Sequence, residues 1–260
     1  MTISESLLKV DNIHLTFGGL KAIDGVSLEV RNDELVSLIG PNGAGKTSTI
    51  NCICKFYDID SGQIFFHGEN ITRLKPHQVA RRRISRSFQN LDLFKGMTVL
   101  ENVKLGAHIN VRSGILADLL YYGKSRKEEK ELEEYIVEEI FSLFGLAKYR
   151  NKHVGSLPYG LQKKIDIARA LAARPMLLIL DEPVAGMNSD ETKEITEDIQ
   201  KIREANISIL LIEHDMDLVM NISDRIYVIN FGENIADGTS QEVTANPDVI
   251  EIYLGKSFEN

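Results

Sequence analysis

Residues 40–48, GPNGAGKTS, have the types and spacing of a loop that binds phosphate. They follow the apolar run LVSLI and fit the pattern G-x-x-x-x-G-K-[ST]. Glycines let the backbone fold tightly so that its N–H groups face a phosphate, and a following helix adds its positive end. We therefore predict a nucleotide-binding loop formed by Gly40, Pro41, Asn42, Gly43, Ala44, Gly45, Lys46, Thr47 and Ser48.

Two side chains of this loop have separate predicted roles. The Lys46 ammonium can reach the β- and γ-phosphates, and the Thr47 hydroxyl can bind Mg²⁺. The alternative is a chance glycine-rich turn. The order of strand, loop and helix argues against it.

A second apolar run, MLLIL, ends in the adjacent carboxylates Asp181 and Glu182. Side chains of neighbouring residues at a strand end point in different directions, so one can serve a metal ion and the other an attacking water. On its own, such an ending is more typical of a solvated turn. After a phosphate-binding loop it predicts a hydrolytic pair, with Asp181 on the metal side and Glu182 on the water side.

These residues must be positioned by strands that alternate with helices. Apolar, β-branched runs recur along the chain, and Ile195, Ile199 and Ile202 repeat at helical spacing between two of them. This alternation predicts a largely parallel sheet covered by helices. Roughly the first 40 residues suit an antiparallel subsheet, and the mostly helical residues 98–150 suggest an inserted lobe.

Composition restricts the possible partners. The net charge of −8 argues against broad attachment to nucleic acid or anionic lipid. No apolar run approaches the ~18 residues of a membrane span, and the N-terminus lacks a secretory pattern, so we expect a cytoplasmic protein. We interpret Cys52 and Cys54, one residue apart, as packing residues.

Two further strings, SFQN around Gln89 and LLIEHDM around His214, complete a set with the phosphate loop and LLILDEP. In this order they resemble the ATP-binding cassette family over nearly the whole chain. The resemblance implies one α/β domain over residues 1–260, a P-loop NTPase with a RecA-like parallel core and an N-terminal antiparallel β subdomain. Residues 1–97 and 175–260 would form this core and residues 98–174 an inserted helical subdomain.

The resemblance also implies roles that the residues alone do not. It implies that Gln89 touches Mg²⁺ and the transmembrane partner, that His214 contacts the γ-phosphate, and that Phe17 stacks on adenine. Without the family, Gln89 would be a surface glutamine, His214 a histidine at a strand end, and Phe17 a packing residue.

Residues 157–161, LPYGL, stand where the family has Leu-Ser-x-Gly-Gln, and we call them the signature turn. The resemblance implies that Pro158, Tyr159 and Gly160 act on ATP held by a partner subunit. Pro158 and Leu161 depart from the pattern. Because proline is comfortable at a helix start, we expect these departures to lower the catalytic rate rather than to disturb the fold.

Longer strings, including FGGLKAIDGVSL and PVAGMNSDE, look like the ATPase subunits of bacterial branched-chain amino acid importers. This likeness implies ATP/ADP and Mg²⁺ as cofactors, a dimer with an identical or related cassette, permease subunits and a peripheral place at the inner face of the cell membrane. The alternatives are a low-turnover nucleotide sensor and a soluble cassette acting on ribosomes or DNA. The basic residues 81–83 are either a solvated helix end or a docking edge for the membrane partner.

Overall fold

The computed structural model describes residues 6–87, 91–107 and 122–254. An antiparallel sheet with the strand order β2-β1-β4-β5 covers one side of the molecule. Its strands are β1 (Ser6–Phe17), β2 (Leu20–Arg31), β4 (Ser61–Phe66) and β5 (Glu69–Asn70). The predicted antiparallel subsheet therefore exists, and it also includes the hairpin that follows the first helix.

The second sheet has six strands in the order β10-β9-β3-β8-β7-β6. Its strands are β3 (Leu35–Ile39), β6 (Ile84–Arg86), β7 (Leu177–Asp181), β8 (Ser208–Ile212), β9 (Arg225–Asn230) and β10 (Glu233–Gly238). All neighbours are parallel except the β9–β10 hairpin. Every residue of β3, β7 and β8 is buried, which explains why their sequences are mostly apolar.

Helices cover this sheet. They are α1 (Lys46–Ile53), α2 (Pro76–Ala80), α3 (Val99–Ala107), α4 (Tyr122–Tyr135), α5 (Phe141–Phe144), α6 (Tyr159–Leu171), α7 (Ser189–Glu204), α8 (Met216–Ile222), α9 (Ser240–Thr244) and α10 (Pro247–Leu254). A π-helical segment, Ile136–Ile140, joins α4 to α5. Helix α7 starts with a capping box between Asn188 and Glu191, and its predicted isoleucine stripe is fully buried.

Two apolar clusters form most of the core. One joins α3, α5 and α6 to α7 and to one face of β7 and β8. The other fills the space between the two sheets and contains Cys52 and Cys54, both buried free thiols, as their interpretation as packing residues requires. Burial raises the pKa of Cys52 to about 12 and that of Cys54 to about 11. Both thiols therefore stay protonated near neutral pH.

Strand register aligns the ends of three strands. Leu38 lies opposite Ile212, and Ile212 lies opposite Asp181. The carboxyl ends of β3, β8 and β7 therefore meet at one edge of the sheet, where ligands bind in open α/β sheets. The predicted α/β class is confirmed. Among the described residues, no helix has the length and apolar character needed to cross a membrane.

The basic residues 81–83 agree only in part with the interpretation as a solvated helix end. Arg81 caps the end of α2, in line with the helix-end interpretation, while Arg82 pairs with Glu69 at 2.7 Å and Arg83 donates to the Arg174 carbonyl. Directly after them, Ile84–Arg86 forms strand β6 beside β7, which the sequence pattern did not reveal. The strand is only three residues long, too short for a periodic signal.

Helices α3 and α6 touch through their backbones. A Cβ placed on Gly106 would lie 1.8 Å from the Arg169 carbonyl oxygen, so no side chain fits at this position. The glycine therefore fixes how closely α3 approaches the helix that follows the signature turn.

We expect Gly106→Ala to destabilise the protein by about 1 to 3 kcal/mol, because the methyl group must push the two helices apart. Urea unfolding of the parent and the variant would measure this loss. Gly96→Ala is the control, since a Cβ at Gly96 meets nothing within 4 Å. Equal midpoints for Gly106→Ala and the parent would contradict the close approach.

Candidate active site

The phosphate-binding loop leaves the carboxyl end of β3 with three glycines at positive φ: Gly40 at 153°, Gly43 at 82° and Gly45 at 105°. Lys46 is 7% exposed, and its Nζ donates to the carbonyls of Gly40 at 2.7 Å and Pro41 at 3.0 Å. Burial lowers the pKa of Lys46, while the charges of Glu182 and Asp181 act in the opposite direction. The ammonium is thus held inside the loop, where phosphate oxygens would replace carbonyls.

The loop rests on the C-terminal part of the chain. The Gly232 N–H donates to the Ala44 carbonyl at 2.9 Å, and a Cβ on Gly40 would lie 2.1 Å from the Ile229 carbonyl oxygen. Burial raises the pKa of Tyr253, on α10, to about 12. A hydrogen bond from the Gly40 backbone lowers this pKa by a smaller amount and shows that α10 contacts the loop. The β9–β10 hairpin and α10 therefore support the loop that the N-terminal part provides.

Asp181, at the end of β7, is 1% exposed. Its Oδ2 accepts a hydrogen bond from Arg86 at 2.6 Å, and Arg86 also donates to the Asn51 side chain at 2.7 Å. Its Oδ1 is buried and, among the described residues, has no hydrogen-bond partner. The Arg86 guanidinium thus neutralises the charge at Oδ2, and Oδ1 is available to a ligand.

This arrangement fits a Mg²⁺ ion that keeps most of its ligands from water and nucleotide. Within the described part of the chain, no cluster of three or more His, Cys, Asp or Glu side chains could hold a metal by itself. Mg²⁺ in phosphate sites usually takes one or two protein oxygens. The orphaned Asp181 Oδ1 and the exposed Thr47, in the first turn of α1, supply oxygens of this kind.

Glu182 adopts a left-handed backbone conformation, with φ at 49°. Its N–H donates to the Ile212 carbonyl at 2.9 Å, and its own carbonyl accepts from Lys163 Nζ at 3.4 Å. A non-glycine residue in this region is held there by its surroundings and often marks a functional site. The backbone of Glu182 is thus fixed while its side chain remains partly exposed.

His214 follows β8 on the same sheet edge. Its side chain is 63% exposed, whereas its backbone N–H donates to the neighbouring Glu213 carboxylate at 2.9 Å. The strand ends therefore place the phosphate loop, Asp181, Glu182 and His214 along one edge of the sheet. Gln89 lies outside the described residues.

Phe17 ends β1 as a half-exposed ring, with 45% of its surface accessible. Tyr57 lies edge-on to it, with the ring centroids 5.1 Å apart. Sequence reasoning missed Tyr57, although it closely follows the helix that the phosphate loop begins. The two exposed rings form an aromatic surface on which a planar base could stack.

The signature turn begins α6, with Pro158 at the N-cap and its carbonyl accepting from the Gln162 N–H. Pro158 and Tyr159 are exposed, and Gly160 is buried. The Tyr159 hydroxyl donates to the Ala185 carbonyl at 3.3 Å. The helix start survives the departures from the family pattern, as expected, and Tyr159 links the turn to the loop after β7.

Three charged residues of the site escaped the sequence analysis: the largely buried Arg86 and the buried Lys163 and Glu213. Arg86 stood in a run interpreted by its other arginines, and Glu213 was overlooked beside His214. Lys163 is 2% exposed although it is one of two adjacent lysines, which are normally taken as surface residues. The only signal in the sequence for the burial of these residues was a charge next to an apolar strand or stripe.

We expect Arg86→Met to destabilise the nucleotide-free protein by about 3 to 5 kcal/mol, because it leaves the buried Asp181 carboxylate unpaired. Thermal or urea unfolding measures the loss. Arg82→Met is the matched control, since the Glu69 carboxylate that it leaves is largely exposed. If both variants unfolded alike, the Arg86–Asp181 pair would not carry this stability.

Comparison with known proteins agrees with this geometry. The family model described as "ABC transporter" matches residues 23–185, and that described as "Branched-chain amino acid ATP-binding cassette transporter" matches residues 233–259. The high-affinity branched-chain amino acid transport ATP-binding protein BraF of Pseudomonas aeruginosa is 44% identical over 98% of this chain and 100% of its own length. The corresponding LivG protein of Escherichia coli K12 is 43% identical over the same shares.

Among solved structures, an ATP-binding cassette of an ABC transporter in its ADP conformation superposes with a TM-score of 0.84. It is 34% identical and covers 96% of this chain and 99% of its own. The first family model alone spans more than half of the sequence, and the relatives span nearly all of it. The chain therefore belongs to the ATP-binding cassette family of ABC transporters, the ATPases that bind and hydrolyse nucleotide for transport.

Proposed function

We propose that this cassette is the ATP-hydrolysing subunit of a membrane importer for branched-chain amino acids. The observation that carries the ATPase part is the common sheet edge on which Lys46, Glu182 and His214 meet. The substrate class is supported by the match of residues 233–259 and by the names of the relatives. Those relatives favour transport over a role on ribosomes or DNA and over a nucleotide sensor.

Phosphate binding starts from an ammonium that already has partners. Lys46 would exchange the carbonyls of Gly40 and Pro41 for β- and γ-phosphate oxygens. Its burial strengthens the attraction to an anion, and a hydrogen bond to a charged group contributes about 1.5 to 3 kcal/mol. The N-terminus of α1 adds its dipole, and the rings of Phe17 and Tyr57 would hold the adenine.

Thr47 and Asp181 Oδ1 would hold Mg²⁺, Asp181 through water, with Gln89 as a further proposed ligand. When bound, the ion neutralises charge on the phosphate oxygens. Glu182 would orient the attacking water and accept its proton, and its fixed backbone limits the reorganisation this requires. His214 would donate to the oxygens of the transferring phosphoryl group and stabilise their charge.

A complete site would need a second cassette, identical or related. Pro158, Tyr159 and Gly160 would face the γ-phosphate of ATP bound to that partner, using the backbone N–H groups of Tyr159 and Gly160 and the positive end of α6. Pro158 has no hydroxyl to offer, so one contact in the closed dimer would be missing. ATP binding would close the dimer, and hydrolysis to ADP would reopen it.

We propose that permease subunits dock on a groove between the α/β core of residues 1–97 and 175–260 and the helical subdomain of residues 98–174. The groove is a cavity of about 630 Å³ lined by residues that include Phe56, Arg81, Phe94, Arg169 and Ala173. Phe56 and Phe94 are each more than half exposed, so apolar surface awaits a partner here. Through such a permease the cassette would sit at the cytoplasmic face of the cell membrane.

We expect Glu182→Gln to retain ATP binding while phosphate release falls by at least about 100-fold, because the amide keeps the shape but cannot accept the proton. Phosphate release and calorimetric titration with Mg-ATP measure the two effects. In cells that carry only this variant, uptake of labelled leucine, isoleucine and valine should also be lost.

Glu204→Gln, an exposed position at the end of α7, is the control and should keep the parental rate. Parental hydrolysis by Glu182→Gln would remove Glu182 from the mechanism. Lost hydrolysis with unchanged amino acid uptake would contradict the importer.

We expect Pro158→Ser to raise the ATPase rate or ATP-dependent dimerisation by up to about ten- to 100-fold, since a serine hydroxyl could bind the partner's γ-phosphate. Steady-state turnover and size-exclusion chromatography with Mg-ATP measure these gains, and a thermal melt checks the fold. Pro158→Ala, which removes the ring without adding a hydroxyl, is the matched control. An equal gain in both variants would show that the missing hydroxyl is not the cause.

A further inference from the structure

Glu213 is a fully buried carboxylate that joins two loops of the site. Its Oε1 accepts a hydrogen bond from the Val184 N–H at 3.1 Å. Its Oε2 accepts from the N–H groups of His214 at 2.9 Å and Asp215 at 3.3 Å. One side chain therefore connects the loop after β7 with the loop after β8.

These two loops carry Glu182, which would orient the attacking water, and His214, which would donate to the transferring phosphoryl group. Val184 is two positions beyond Glu182, and His214 adjoins Glu213 in the sequence. The His214 ring is also close, with its Nδ1 3.5 Å from Glu213 Oε2. Glu213 therefore binds the backbone of His214 and lies beside its imidazole.

The surroundings of Glu213 combine burial with hydrogen-bond donors. Burial raises the pKa of this carboxyl group above its usual value, and the hydrogen bonds from Val184, His214 and Asp215 offset only part of that rise. The buried Lys163 ammonium interacts electrostatically with Glu213 and donates to the Glu182 carbonyl. Helix α6, which begins at the signature turn, thus contributes a countercharge to the same cluster.

We propose that Glu213 is a positioning residue for hydrolysis, holding His214 and the loop that follows Glu182 in one fixed arrangement. It rests on the ATPase function proposed above, and it adds a residue that would act through the two loops it connects. The loop after β7 and the imidazole would then adopt their active positions together.

A glutamine at this position should break one of the two links. The amide has one acceptor oxygen, so its NH₂ group must face the N–H donors of one loop, while side-chain volume is unchanged. We expect Glu213→Gln to lower kcat by about ten- to 100-fold and to leave KM for ATP within about twofold of the parent.

The decisive measurement is a double-mutant cycle of Glu213→Gln with His214→Ala, followed in single turnovers with excess enzyme. If Glu213 acts through His214, its substitution changes the rate much less in the His214→Ala background than in the parent. Effects that multiply, or an unchanged kcat in Glu213→Gln, would overturn the proposal. Should the glutamine variant fail to fold, Glu213→Asp, which keeps the charge but is one methylene shorter, takes its place in the cycle.

Asp224→Asn is the matched control. The Asp224 carboxylate also accepts a backbone N–H, from Leu35 at 2.8 Å, but at the opposite end of the sheet. Asp224→Asn should lower the melting temperature without changing kcat. A parent protein without ATPase activity would overturn the proposed function and this inference with it, whereas an active parent with a fully active Glu213→Gln would overturn this inference alone.

Discussion

Every part of the site depends on the register of three parallel strands. Leu38, Ile212 and Asp181 lie side by side, so the backbone hydrogen bonds of β3, β8 and β7 set where the phosphate loop, His214 and Glu182 leave the sheet. The side chains of these strands are buried on both faces, so their close packing against both layers holds each strand in this register. The burial that stabilises the core therefore also fixes the spacing of the reacting groups.

The charged groups at this edge have internal partners before any ligand arrives. Lys46 is bound by loop carbonyls, Asp181 by Arg86, and Glu213 by backbone N–H groups. Buried charges would otherwise be very costly, so these contacts let the nucleotide-free protein keep a polar site in a low-dielectric setting. In the proposed function, nucleotide binding would exchange the partners of Lys46, while Arg86 could remain in place.

The sequence predicted what local pattern encodes: the buried strands, the phosphate loop, the isoleucine stripe of α7 and the two carboxylates where β7 ends. Contacts between residues far apart in the chain could not be predicted from the sequence. Nothing near Gly232 in the sequence indicates that its N–H supports Ala44, and nothing in the KK pair indicates that Lys163 is buried beneath Glu182. The three-residue β6 and the Arg86 ion pair depend on β7, almost 100 residues away, so only the folded chain reveals them.

Helix α6 links the signature turn to the groove between the core and the helical subdomain. Its first residues form the signature turn, and Arg169, Ala170 and the following Ala173 line the groove at its other end. Thirteen helical residues make a rod about 20 Å long, and the backbone contact at Gly106 ties α3, the next groove wall, to the same rod. Widening the groove by a given angle would therefore tilt the turn by the same angle. The helix is thus a rigid connection through which a rotation at the groove would displace the signature turn.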